Sequence, residues 1–209
     1  MLELETLSAE KLREALARGM TTAVVPFGSI EHQGAHLPLG ADALLADVVG
    51  REVASRLDAL LTPTFRIGSA AAHAALAGTL TVDAQTVTDL ASGVAVGLAR
   101  DGVRAIAFVC THGGNAEPLR QATVRLSYAL RDQVVCAPRG DLGPHPGSHS
   151  GEWLTSVMLA LRPDLVHLER APKELGAELA QASRARGTEH LERFVSSIVV
   201  EIRAAIHSG

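Results

Sequence analysis

Two short apolar runs constrain this chain more than any other feature. Thr22 to Phe27 (TAVVPF) and Val103 to Cys110 (VRAIAFVC) are nearly continuous in buried-type residues and too short for helices. Such runs are the signature of fully buried strands. Each leads at once into a polar, glycine-containing loop and then into helical periodicity. Strands of this kind, alternating with helices, belong to a mostly parallel sheet covered on both faces. The expected fold class is therefore α/β: one three-layer domain over residues 1–209, with a mostly parallel sheet flanked by helices.

The remaining elements follow from caps and breakers. A helix opened by Ser8 is expected over Leu7 to Arg18, and a second from Asp42 to about Asp58. Leu60 to Ile67 reads as a strand that Pro63 makes irregular or confines to an edge. Asp83 caps a helix to Arg100, with Gly102 just past its end. Asn115 is expected to cap a helix to Arg131, followed by a strand over Gln133 to Ala137. Pro138 to Gly151 is a long Gly/Pro-rich loop, and loops of that length inside compact domains are usually functional or disordered. Helices are then expected over Glu152 to Leu161, Pro172 to Ala185 and Thr188 to Ala205.

Composition narrows the function. Aromatic residues make up 3% of the chain, so the core must be built from Ala, Val, Leu and Ile. A net charge of −4 without a basic patch argues against nucleic acid as a partner. No apolar run approaches the ~20 residues of a membrane span. The first ten residues lack the apolar core of a signal peptide. Cys110 and Cys136 show no CxxC spacing, and a reducing cytoplasm is the expected compartment.

Five of the nine histidines fall in loops that follow strands. His32 and His36 lie in Gly28 to Asp42 (GSIEHQGAHLPLGAD), His112 in Thr111 to Asn115 (THGGN), and His145 and His149 in the long loop. In open α/β sheets, ligands bind at the carboxyl ends of strands. Glu31, Asp42 and His112 form a natural ligand set for zinc, manganese or iron. On residue types alone the plainer reading, with His112 and Asp42 as helix caps, stands level with metal binding. Gly113 and Gly114 would let the backbone approach a metal or substrate closely. Cys110 reads as a buried strand cysteine rather than a nucleophile paired with His112. His73, near Gly78 and Thr79, either lines the cleft or packs beneath it. His167, His190 and His207 read as surface or capping groups.

These loops resemble the creatininase family of metal-dependent amidohydrolases. VVPFGSIEHQGAHLPLGAD is similar to that family's GS-x-E-Q-H-G-x-H-L-P-x-x-T-D, and THGGN to its GHGGN. His73 with Gly78–Thr79 resembles its H-x-x-x-x-G-T. HSGEWLTSVMLALRPDLV, starting at His149, resembles its H-A-G-x-x-E-T-S-x-M-L-x-x-x-P-x-x-V. NAEPLRQA looks most like the mycofactocin-maturation peptidase branch. The resemblance implies a hexameric assembly and two metal ions, bridged by an aspartate, that activate water against an amide carbon. Glu31, Asp42 and His112 would hold one ion and His149 would carry protons. Ser69 and His73 would lie near a small amide, cyclic amide or short-peptide substrate.

Two departures bear on the second ion. This chain has Glu31–His32–Gln33 where the family has Glu-Gln-His, and Leu154 where the family has a glutamate. In an extended loop, residues i and i+2 face the same way, so Gln33 faces the metals and His32 turns away. Glutamine is a poor ligand for a transition metal and is left to orient substrate or water. Glu152 could replace position 154 only with rearrangement, because two residues span about 200° around a helix. The expectation is one divalent metal per chain, with the second site lost. Trp153, beside Leu154, either faces substrate or packs. The chain then reads as a one-metal amidohydrolase, or as a silent relative kept as a binding or assembly module. A mononuclear iron oxygenase fits less well, because it wants two histidines and one carboxylate.

Overall fold

The structure is a computed structural model and describes residues 1–143 and 147–208; His145, one of the loop histidines above, lies outside them. In chain order it comprises β1 (Leu2–Glu3), α1 (Ala9–Ala17), β2 (Thr22–Phe27), α2 (Ala41–Leu57), β3 (Leu60–Leu61) and α3 (Ala84–Arg100). There follow β4 (Ala105–Cys110), α4 (Gly113–Ala129), β5 (Val134–Cys136), α5 (Glu152–Leu161), α6 (Gly176–Leu179) and α7 (Arg184–Ser208). The five strands form one sheet in the order β1-β3-β2-β4-β5, and every pairing is parallel. The expected α/β fold with a parallel sheet is the one observed. No helix among the described residues is long and apolar enough to cross a membrane.

Side-chain alternation along β2 divides the core. Ala23, Val25 and Phe27 pack with residues of α3 and α4, whereas Val24 packs with α2, α5 and α7. Both faces are covered, which is why the strand sequences show no polar alternation.

Three expectations change. The run from Leu60 is irregular as expected, a two-residue strand that bridges β2 again only at Phe65, but it is not at an edge, because β1 pairs outside it. The helix of THGGN begins at Gly113 with His112 as its N-cap, so Asn115 lies inside the first turn instead of capping it. The stretch read as one helix over Pro172 to Ala185 is a 3-10 turn (Lys173–Leu175) and the short α6.

His190, read as a surface or capping group, is buried in a charged network between α5 and α7. Glu152 accepts hydrogen bonds from Arg186 Nε (2.7 Å) and Ser156 Oγ (2.6 Å), and its Oε2 lies 3.2 Å from His190 Nε2. Burial works to raise the Glu152 carboxyl, but Arg186, Ser156 and His190 outweigh it and hold it at about 2. A depressed carboxyl adds stability above its ordinary value that is lost as pH falls towards the folded value. Glu152→Gln is therefore expected to cost roughly 3 kcal/mol at pH 7, about half that at pH 3 and little at pH 2. Urea unfolding at the three pH values measures the difference.

Candidate metal centre

The chain leaves β2 through α2 towards β3 on one side of the sheet, and leaves β4 through α4 towards β5 on the other. Neighbouring strands whose connections diverge in this way open a crevice at their carboxyl ends. Glu31 and Asp42 follow β2, and His112 follows β4, so all three stand at that crevice.

The three side chains are buried and mutually close. His112 Nδ1 lies 3.2 Å from Glu31 Oε1 and 3.2 Å from Asp42 Oδ2. Its Nε2 lies 3.0 Å from the carbonyl oxygen of Ser69, to which it donates, so Nδ1 is the atom turned to the carboxylates. A carbonyl on the far ring nitrogen is the usual device that fixes tautomer and orientation in a metal-binding histidine. Gly114 makes the contact possible, because a Cβ there would overlap the Ser69 carbonyl.

Asn115 was missed as a site residue. It is fully buried; its Oδ1 accepts from Ser69 N and its Nδ2 donates to Gly28 O, both at 2.9 Å. It thus ties the segment that holds His112 to the strand end that carries Glu31. Nothing in THGGN distinguishes this role from capping, since Asn suits both.

Gln33 is 1% exposed and does not line the cavity, which corrects its reading as a substrate-orienting group. Its Nε2 donates to Glu31 Oε1 and to Asp42 Oδ2, both at 3.1 Å, and its Oε1 accepts from Ser150 Oγ at 2.8 Å. Only the amide nitrogen can face two carboxylates, so the amide has one sensible orientation.

A cavity of about 370 Å³ opens over the cluster. Glu31, Ser69, His73, His112, Gly113, Gly114 and His149 line it, so these expected residues do come together. His73 Nδ1 donates to Glu31 Oε2 at 2.9 Å, and the His73 and His149 rings lie 4.0 Å apart. His149 Nε2 donates to the His32 carbonyl at 2.8 Å, leaving Nδ1 3.9 Å from Glu31 Oε1. Ser150 holds a left-handed φ of 57°, a strained conformation for a residue with a side chain. The turn lets His149 reach the cavity while the Ser150 hydroxyl reaches Gln33.

Other candidates fall elsewhere. Trp153 is 7% exposed, stacks on His190 and meets Phe194 edge-on, so it packs in the core and does not face substrate. His36 is fully buried and binds the Ser150 carbonyl and Thr155, a structural tie between two loops. The His32 ring accepts from Gly34 N, outside the ligand cluster, as the two-residue periodicity predicts. Glu152 is committed to Arg186 and His190, and Leu154 packs against apolar neighbours. Cys110 donates to the His112 carbonyl, and burial pushes its thiol up to about 12, so it is no nucleophile.

Burial opposes a charged His112, yet Asp42 and Glu31 outweigh that cost and push it up to about 10. Burial also works to raise Glu31, but bonds from His112 and His73 bring it to about 2. Burial keeps Asp42 above its ordinary value despite His112. Two buried carboxylates beside a histidine favour a positive charge between them. Glu31, Asp42 and His112 offer three ligand atoms within 4.8 Å of one another, and this donor set suits zinc, manganese or iron.

The sequence profile of the Creatininase family, described as creatinine amidohydrolase, matches residues 5–201. The chain belongs to the creatininase family. Two mycofactocin precursor peptide peptidases are similar to it. That of Mycobacterium ulcerans (strain Agy99) is 33% identical over 169 residues, covering 76% of this chain and 65% of the relative. That of Mycobacterium tuberculosis (strain CDC 1551 / Oshkosh) is 35% identical over 161 residues, covering 70% and 61%. The chain thus spans somewhat less than two thirds of these curated relatives. A crystal structure of creatinine amidohydrolase (creatininase) superposes with a TM-score of 0.80 at 28% identity, covering 96% of each chain. Solved creatininases include a Zn-Zn type and a manganese form.

Metal uptake by this creatininase-family site is expected to displace one proton. His112 is protonated at pH 7 in the ion-free cluster and must be neutral to bind an ion. Apparent affinity should therefore rise about tenfold per pH unit between pH 6 and 9. Calorimetry in buffers of different ionisation enthalpy counts the proton.

Proposed function

We propose that this chain is an amidohydrolase that works with one divalent ion, zinc, manganese or iron, held by Glu31, Asp42 and His112. Its target is the C–N bond of a small amide, a cyclic amide or a short peptide. The observation that carries the one-ion reading is the Gln33 amide, whose N–H groups bridge Glu31 and Asp42. That amide stands where the family motif has a histidine. It gives both carboxylates hydrogen-bond partners without adding a charge or a ligand lone pair.

A bound ion would supply Lewis acidity, polarising the amide carbonyl and making water a usable nucleophile near neutral pH. The chain's own groups do the rest. Gly113 and Gly114 open α4, a 17-residue helix without a side-chain cap, on the cavity wall. The positive end of that helix favours an oxygen gaining negative charge. His149 presents Nδ1 to the cavity and is placed to carry a proton to the leaving nitrogen. His73 holds Glu31 in position and borders the substrate. Assembly as a homo-oligomer in the cytoplasm belongs to the same reading.

The test is metal analysis of the purified protein, followed by hydrolysis assays on small amides, cyclic amides and short peptides with and without the ion. One ion per chain and ion-dependent release of the amine are expected. A protein that takes up no zinc, manganese or iron would instead be a silent binding module.

A further inference from the structure

The loop that carries His149 is held from outside the family motifs. Glu178, on α6, extends its carboxylate into the turn formed by residues 147–151 and the start of α5. Its Oε1 accepts from Ser148 N at 3.1 Å and from Glu152 N at 2.7 Å, and its Oε2 accepts from Ser148 Oγ at 2.6 Å. Gly147 and Gly151 shape the seat, because a Cβ on either would overlap Glu178 Oε1. The residue that begins α5 has no side-chain cap of its own, so Glu178 serves as that cap from a distant segment. These bonds hold the Glu178 carboxyl below its ordinary range.

The consequence concerns His149, which lies between the two residues Glu178 grips. Among the described residues its ring hydrogen-bonds to the His32 carbonyl and stands 4.0 Å from the His73 ring, and its side chain is 41% exposed. One hydrogen bond and a ring contact on a half-exposed imidazole leave its aim dependent on the backbone on either side. Glycine-flanked turns have many alternative conformations, and Ser150 adds a left-handed residue that relaxes once its neighbours are free.

The geometry points to Glu178 as a positioning residue that presents His149 to the cavity, so that the segment after α5 controls proton transfer at the site. This assignment rests on the reading of His149 as proton carrier. Glu178 touches neither the ion ligands nor the cavity wall. Removing it should disturb His149 and leave the Glu31, Asp42 and His112 cluster intact.

The experiment compares Glu178→Ala and Glu178→Gln in the full chain, apo and after loading with zinc. The Nε2–H resonance of His149, assigned with His149→Gln, reports the bond to the His32 carbonyl by NMR. Wild type should show a slowly exchanging Nε2–H. Glu178→Gln keeps an oxygen for the two backbone N–H groups and should preserve the resonance. Glu178→Ala should exchange at least tenfold faster, with zinc content equal to wild type. If Glu178→Ala fails to fold, Glu178→Asp withdraws the carboxylate by one methylene and should show the same loss. A protected His149 Nε2–H in folded Glu178→Ala or Glu178→Asp would overturn the assignment, as would loss of zinc together with the resonance. A wild-type protein that binds none of zinc, manganese and iron would sink the hydrolase reading, while the apo NMR comparison would still decide the role of Glu178.

Discussion

Asp42→Asn is expected to abolish tight metal binding while making the ion-free protein no less stable. Asp42 is one of the three proposed ligands, and even partners outside the ligand shell typically cost 10–100-fold in affinity, so a loss beyond ~100-fold is expected. The stability result has the opposite sign for a physical reason. Asp42 is buried beside Glu31, and burial raises its carboxyl, so its charged form is disfavoured in the folded state. An asparagine removes that charge and keeps an acceptor for Gln33 Nε2. Saturating metal should raise the thermal midpoint of wild type, since an ion at 100 times its Kd adds about 2.7 kcal/mol. The variant should show no such rise. Calorimetric titration with zinc and thermal melts with and without metal check both halves. A variant that melts well below apo wild type would mean that Asp42 serves the fold and not an ion.

The second large effect is a change of stoichiometry. Gln33→His together with Leu154→Glu is expected to take the chain from one tightly held ion to two. Gln33 Nε2 lies 3.1 Å from both carboxylates, so an imidazole on the same side has a lone pair to offer a cation there. A second cation also offsets the charge that two buried carboxylates leave over. Leu154 packs beside Leu37, Ala41 and Met158, next to the segment carrying Asp42. A glutamate there would reside in apolar surroundings unless an ion takes it up. Leu154→Glu alone should therefore destabilise the protein, and Gln33→His with zinc should restore part of the loss. Metal analysis of the folded double variant decides it: one ion per chain would show that position 33 or 154 does not face the second site.

Much of this was legible in the residues. β2, the bounds of α5 and the cap of α3 follow from apolar runs and from Asp83, which accepts from Thr86 N. The relation of Gln33 to Glu31 followed from a two-residue period, and the structure puts both side chains on one cluster. What could not be read were the long-range ties. Trp153, Glu152 and His190 are ordinary residues of two distant helices until α5 packs on α7, and packing then makes them a buried network. Asn115 looked like a cap because capping is local, whereas its actual partners are Ser69 and Gly28.

The sequence by itself determined the α/β class, the three loops at the strand ends, and the candidate cluster Glu31, Asp42 and His112. Periodicity, caps and residue chemistry are local properties that survive without coordinates. Only the tertiary structure decided that Gln33 lies under the site and bonds to both carboxylates, and that Trp153 belongs to the core. It also decided that Glu178, far along the chain, holds the loop of His149. Those outcomes depend on which surfaces meet, and a hydrogen bond between residues 30 apart leaves no period in the sequence.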